Sequence, residues 1–125
     1  MTATPLYAAL LTLAFVWLSL NVIKLRQRYK ISLGDGNNPA LRAAISAQAN
    51  AAQYMPFALI LLLLLELNHA HALLLHGIGL TFLAARIIHA RGIQTSHIPT
   101  RVRGMQLTLF TLIGSAVANL FFVIF

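Results

Sequence analysis

The sequence contains no cysteine, and only two of its 125 residues are acidic. Without thiols the chain can form neither a disulfide framework nor a thiolate metal site. Charged residues make up 9% of the chain and hydrophobic residues 59%, which leaves too little polar surface for an ordinary soluble domain. The composition therefore predicts a protein that folds inside a lipid bilayer.

Long apolar stretches account for most of the chain. A helix of about 20 residues crosses the hydrocarbon layer, and four stretches come close to or exceed that length: 1–23, 43–65, 72–90 and 104–125. Only the third is interrupted by ionisable residues, namely His76, Arg86 and His89. We predict an all-α, up-down-up-down, four-helix membrane bundle, a single domain over 1–125 with helices near 4–30, 39–67, 71–92 and 99–125. Asn38 is a candidate cap for the second helix, and Pro39 suits its first position.

The basic residues are concentrated in two of the connections. Of nine Lys and Arg residues, five lie between helices one and two, and Arg91, Arg101 and Arg103 lie between helices three and four. The positive-inside rule places both connections in the cytoplasm and both termini on the periplasmic side. The net charge of +7 is thus explained by topology and by anionic lipid headgroups, so we expect contact with membrane lipids and no nucleic acid binding.

Uncharged polar residues open the second helix. At about 100° per residue, Arg42, Ser46, Asn50 and Gln53 fall within an arc of about 80°, whereas Gln48 lies nearly opposite. For the second helix alone, interhelical hydrogen bonding is the favoured explanation of this stripe. The third helix changes the balance, because an ionisable residue inside a span marks a functional site by default. The topology brings Arg86, His89 and Arg103 to the depth of the stripe. No acid lies nearby, because Asp35 is in the first loop and Glu66 is at the opposite end, so we expect an anionic ligand.

Two other polar groups receive structural interpretations. His69, His71 and His76 lack the spacing of a metal site on a helix, and we predict interfacial histidines and no bound metal. Thr108, Thr111, Ser115 and Asn119 form an uncharged stripe on the fourth helix. This stripe is typical of helix packing rather than of a substrate path.

The residues of these segments carry a family resemblance. The segments LRQRYKISLGDGNNPALRAAISAQANAAQYMPFALILLLLLELN, LAARIIHARG and RVRGMQLT resemble the small bacterial branch of the MAPEG family, membrane-associated proteins in eicosanoid and glutathione metabolism. The resemblance covers the whole chain. It implies a homotrimer in the bacterial inner membrane that binds glutathione between subunits near the cytoplasmic face, with a lipophilic co-substrate.

The resemblance also implies roles for individual residues. It matches Arg103 to the arginine beside the glutathione thiol, and Asn50, Arg86 and His89 to residues that hold the tripeptide. Lys24 or Arg26 corresponds to a basic residue that ends helix one. Ser46 stands at the position of a family arginine and Gln53 at that of a family glutamate, while Ile93 and Leu107 replace tyrosines.

Two functions are compatible with this pattern. The first is a glutathione transferase or peroxidase acting on lipophilic electrophiles, with Arg103 stabilising the thiolate and Lys24, Arg26, Ser46, Asn50, Gln53, Arg86 and His89 binding glutathione. The second is a non-catalytic trimer, an accessory subunit or lipid-binding module, that retains the fold alone. We prefer the first. The second is supported by the absence of the family glutamate, replaced by Gln53, and of the family tyrosines, replaced by Ile93 and Leu107.

Overall fold

A computed structural model describes all 125 residues. The chain folds into four helices: α1 (Ala3–Tyr29), α2 (Pro39–Leu67), α3 (Ala72–Gln94) and α4 (Ile98–Ile124). Each is long and apolar enough to cross a membrane. The predicted all-α four-helix membrane fold is confirmed, and the bounds of α2 are those predicted.

Polar caps define where the helices begin. Asn38 Oδ1 accepts the backbone N–H of Leu41 at 3.0 Å, and Pro39 occupies the first turn of α2, as predicted. His71 Nδ1 accepts the N–H of Leu73 at 3.1 Å, and His97 Nδ1 accepts that of Thr100 at 3.3 Å. These histidines satisfy amide groups that the first turns of α3 and α4 leave without helical partners.

The two inner helices form the centre of the bundle. Both α2 and α3 pack against each of the other helices, whereas the backbones of α1 and α4 do not approach each other closely. Ala47 and Ala51 of α2 are buried against Leu18 of α1 and Phe82 of α3 in the main core cluster. The alanines let the helices approach closely, as the sequence predicts. Most other apolar side chains face outwards, where lipid covers them.

Two glycines set the contact between α3 and α4. A Cβ atom at Gly92 would collide with the backbone of Arg101, and one at Gly104 would collide with the backbone of His89. The helix backbones touch at these positions, so no side chain fits between them. This contact lies at the basic end of the bundle, which we define as the end carrying the connections 30–38 and 95–97.

The opposite end is held by polar contacts between helices. The Glu66 carboxylate, at the end of α2, accepts the N–H groups of Ala3 at 2.8 Å and of Thr4 at 3.3 Å, so it caps α1. The Tyr7 hydroxyl lies 2.9 Å from Nδ1 of His76 on α3. The Glu66 carboxylate and the Tyr7 hydroxyl thus find partners inside the bundle, which matters where water is absent.

The polar stripe of α4 packs inside the bundle. Thr108, Thr111 and Ser115 are buried and donate to carbonyl groups one turn earlier in their own helix. Asn119 donates to the carbonyl of Leu61 on α2 at 3.1 Å. Asn119 also donates to the carbonyl of Ser115 at 2.9 Å, so all four residues bond within α4 and Asn119 additionally joins α4 to α2.

Candidate functional site

A buried arginine lies where α2, α3 and α4 meet. Arg86 of α3 is only 4% exposed. Its Nη2 donates a short hydrogen bond to Asn50 Oδ1 of α2, and Nη1 lies 3.4 Å from Thr108 Oγ1 of α4. Its guanidinium carbon lies 5.8 Å from the ring centroid of Tyr54. We call Asn50, Tyr54, Arg86, His89 and Thr108 the Arg86 cluster.

His89 completes the cluster one turn further along α3. Its side chain is 2% exposed, and its Nδ1 lies 3.4 Å from Arg86 Nη2. Because a guanidinium group can only donate, Nδ1 is the acceptor in this long contact. The backbone of His89 packs directly against Gly104, so the α3–α4 contact described above also positions the imidazole.

No carboxylate neutralises the Arg86 charge. Asp35 is bound to Arg42 in the first loop at 2.8 Å, and Glu66 caps α1 at the other end of the bundle. The Nε atom of Arg86 is buried without any hydrogen-bond partner. Because all partners of the Arg86 guanidinium are neutral, its positive charge is not compensated. It would therefore attract an anion to this part of the protein.

Asp35 lies in the first loop, outside the helices, and its carboxylate binds Arg42 at the start of α2. The hydrogen bond from Arg42, and next the N–H of Asn37, lower the pKa of Asp35 below its ordinary value. Asp35 is ionised at neutral pH, and its carboxylate is already bound by Arg42 and by the N–H of Asn37.

The other predicted site residues lie outside the cluster in a single protomer. Lys24, Ser46, Gln53 and Arg103 are exposed and make no side-chain hydrogen bond. Arg26 is half-buried, and its Nη1 donates to the carbonyls of Ile31 at 3.3 Å and Gly34 at 2.8 Å, which holds the first loop. The structure thus brings together Asn50, Arg86 and His89 of the predicted set. The ligand-binding roles of all eight residues stay predictions.

Tyr54 and Thr108 are cluster members that the sequence reasoning missed. Tyr54 follows Asn50 by four residues and so shares its face of α2, which is a readable signal. The sequence pattern places Thr108 in the packing stripe of α4, and its hydroxyl donates to the carbonyl of Gly104 at 2.8 Å. Only the tertiary structure shows that the same oxygen faces Arg86.

An apolar cavity of about 300 Å³ adjoins the cluster. It lies between α1, α2 and α3, and Trp17, Met55 and Leu83 are among its lining residues. Arg86 contributes to its wall, and Arg91 and Gln94 line the part towards the basic end. The cavity is thus apolar over most of its surface and cationic at one end.

Comparison with known proteins decides the family. The MAPEG family profile matches residues 4–121. The chain belongs to the MAPEG family. This MAPEG protein is 35% identical over 119 residues to "Inner membrane protein YecN" of Escherichia coli strain K12, an alignment that covers 95% of this chain and 91% of YecN. The same values hold for YecN of Escherichia coli O6:H1 strain CFT073. With its four spans, the MAPEG protein is a multi-pass bacterial inner membrane protein.

Proposed function

We propose that the protein binds glutathione at its basic end and acts as a transferase or peroxidase on lipophilic electrophiles. The observation that carries this proposal is the buried Arg86, a cation held by Asn50 and Thr108 without an acidic partner. Glutathione is an anion at neutral pH, with two carboxylates and one ammonium group. Its carboxylates supply the charge that the site lacks.

The exposed residues fit a site shared between subunits. Ser46 and Gln53 lie on the same side of α2 as Asn50, and all are at least partly accessible in the protomer. A homotrimer would cover this polar surface, which is costly to leave facing lipid. Lys24 and Arg26 at the end of α1 add positive charge at the same end of the bundle.

We assign Arg103 to the position beside the glutathione thiol. It is exposed at the start of α4, directly before Gly104, and has no carboxylate partner. A guanidinium group beside a thiol favours the charged thiolate and lowers a thiol pKa from its ordinary value of about 8.5. When bound, glutathione supplies the nucleophile, while Asn50 and His89 hold the tripeptide by hydrogen bonds.

The apolar cavity beside Arg86 suits the second reactant. Its volume of about 300 Å³ falls at the lower end of the range for small-molecule sites. Trp17, Met55 and Leu83 favour an apolar body, and Arg86 and Gln94 favour an electronegative group at the basic end. The basic end faces the cytoplasm under the positive-inside rule, with both termini periplasmic, so glutathione enters from the cytoplasm and the electrophile from the bilayer.

One observation favours a non-catalytic trimer as the second candidate. Asn50 and Arg86 already bind each other, which satisfies two of the predicted ligand-binding groups inside one protomer. Ser46 and Gln53 carry no charge. Such a protein would keep the trimeric fold and show no glutathione binding.

A glutathione titration of the wild-type protein separates these functions, and replacing Arg103 with leucine tests which residue lies beside the thiol. We expect wild-type protein in detergent to develop the ultraviolet absorbance of a thiolate as millimolar glutathione is added. The R103L variant should lose about nine-tenths of that signal, because a shift of one pKa unit changes the thiolate fraction about tenfold. Arg28→Leu is the matched control, since Arg28 is exposed at the same end and contacts only the Tyr29 ring. An equal thiolate signal in R103L and R28L would show that Arg103 is not the residue beside the thiol.

A further inference from the structure

A second cavity lies at the basic end, outside the Arg86 cluster. It has a volume of about 340 Å³ and is enclosed by the start of α2, the end of α3 and the start of α4. Its polar lining comes from Arg42, Ser46, Ser96 and Arg101. It does not include Asn50, Arg86, His89 or Arg103, and it borders the proposed glutathione site through Ser46 and through Ile93, which stands at the position of a family tyrosine.

The charges around this cavity favour an anion. Arg101 has no carboxylate within ion-pair distance, and the only acid nearby is Asp35, which binds Arg42. Pro39 and Ile98 place the N-terminal ends of α2 and α4 at the cavity, and both helix dipoles are positive there. Ser46 makes no hydrogen bond, so its hydroxyl is free to donate to an oxygen.

The cavity also has an apolar border that continues onto the outer surface of the bundle. Ile98 lines the cavity and is 69% exposed, and Val102, one turn further along α4, is 46% exposed. Below them α4 continues as an apolar span towards the opposite end. A ligand seated here would have charged oxygens beside Arg101 and apolar chains along α4. That is the arrangement of a phospholipid at the level of its headgroup.

We propose that this cavity binds the phosphate of an anionic phospholipid, with Arg101 as its principal contact, Ser46 as an additional donor and the positive ends of the α2 and α4 dipoles as electrostatic support. A phosphate suits the fork of donors on arginine better than a single-oxygen ligand does. Arg42 contributes less, since Asp35 already engages its Nε. The proposal concerns lipid binding and holds whether or not the protein binds glutathione.

The test compares arginine variants in a lipid titration. Full-length protein in a neutral detergent is titrated with phosphatidylglycerol or phosphatidylcholine, and bound lipid is counted by native mass spectrometry. We expect Arg101→Gln to weaken phosphatidylglycerol binding about tenfold, as the loss of a charge-assisted contact predicts. Arg28→Gln, the matched loss of an exposed charge, should change it less than about twofold. Arg101→Lys keeps the charge but loses the fork of donors, so it should weaken binding, though less than Arg101→Gln does.

Removing the Asp35 carboxylate should have the opposite effect on lipid binding, because it frees Arg42 to contact the phosphate. Asp35→Asn keeps an acceptor for the loop but removes the carboxylate that engages Arg42. Phosphatidylglycerol binding should then strengthen by about threefold, the size of a modest surface ion pair. A decrease or no change would contradict a site in which Arg42 takes part.

A competition experiment distinguishes a lipid phosphate from free inorganic phosphate as the ligand. Inorganic phosphate at the lipid's concentration should not displace phosphatidylglycerol, because it lacks the apolar chains. Displacement would overturn the lipid as the ligand. Equal binding of phosphatidylglycerol and phosphatidylcholine, or equal losses in R101Q and R28Q, would overturn the proposal by showing a general surface attraction. Loss of glutathione binding in R101Q with unchanged lipid binding would assign the cavity to glutathione and equally overturn it.

Discussion

Replacing Gly104 with alanine is expected to lower the free energy of unfolding by about 2 kcal/mol, in the range measured for overpacked interiors. The added Cβ would collide with the backbone of His89, which has no flexible end that could move away. The α3 and α4 backbones must therefore separate. Because His89 lies on the contact, its imidazole would move relative to Arg86. Denaturation in mixed micelles, followed by circular dichroism, measures the effect.

The chain offers matched controls for this substitution. Gly77 on α3 and Gly114 on α4 have open space where a Cβ would be added, so alanine there should change the free energy of unfolding by less than about 0.5 kcal/mol. Gly92→Ala should resemble Gly104→Ala, since its Cβ would meet the backbone of Arg101. Equal stabilities for all four variants would contradict the close α3–α4 contact.

Replacing Asn50 with leucine is expected to cost about 2 to 3 kcal/mol of stability, because it removes the oxygen that accepts from the buried Arg86. The guanidinium group would then keep only its long contacts to Thr108 and His89. An arginine at this depth cannot replace the lost partner with water at low cost. The same micelle denaturation measures the loss.

A double variant distinguishes this cause from simple misfit of leucine. Replacing Arg86 with methionine in the Asn50→Leu background removes the charge and should recover most of the lost stability, since buried ionic groups are often replaced by apolar ones at no net cost. A double variant that is less stable than Asn50→Leu alone would show that Arg86 stabilises the fold through contacts other than Asn50. The expected outcome is a stable protein that binds no glutathione.

The sequence predicts the four helices well because each carries local signals. The uncharged stretches are long enough to span the bilayer, and Asn38 and Pro39 indicate the start of α2 within one residue. The sequence also indicates Arg86 and His89 as site residues, since ionisable residues inside a span are unusual. These signals depend on neighbours in the sequence and need no knowledge of how the helices pack.

The partners of the polar groups depend on packing and were not predictable in the same way. The stripe of Ser46, Asn50 and Gln53 suggests a common role, yet the structure turns only Asn50 towards Arg86 within the protomer. The cap that Glu66 provides for α1 joins residues more than sixty positions apart in the chain. The lack of space for a Cβ atom at Gly92 and Gly104 likewise follows from how α3 and α4 are oriented. Helix orientation about its own axis is set by tertiary contacts that no local pattern encodes.

Equilibrium dialysis with radiolabelled glutathione tests the central claim most directly. Purified wild-type protein in detergent should bind glutathione saturably in the millimolar range, and the Asn50→Leu/Arg86→Met double variant, folded by circular dichroism, should not. Phosphatidylglycerol binding at Arg101 should be unaffected in that variant, so the two proposals can fail separately. Uptake that rises linearly with glutathione concentration and is equal in both proteins would contradict a glutathione site at the basic end.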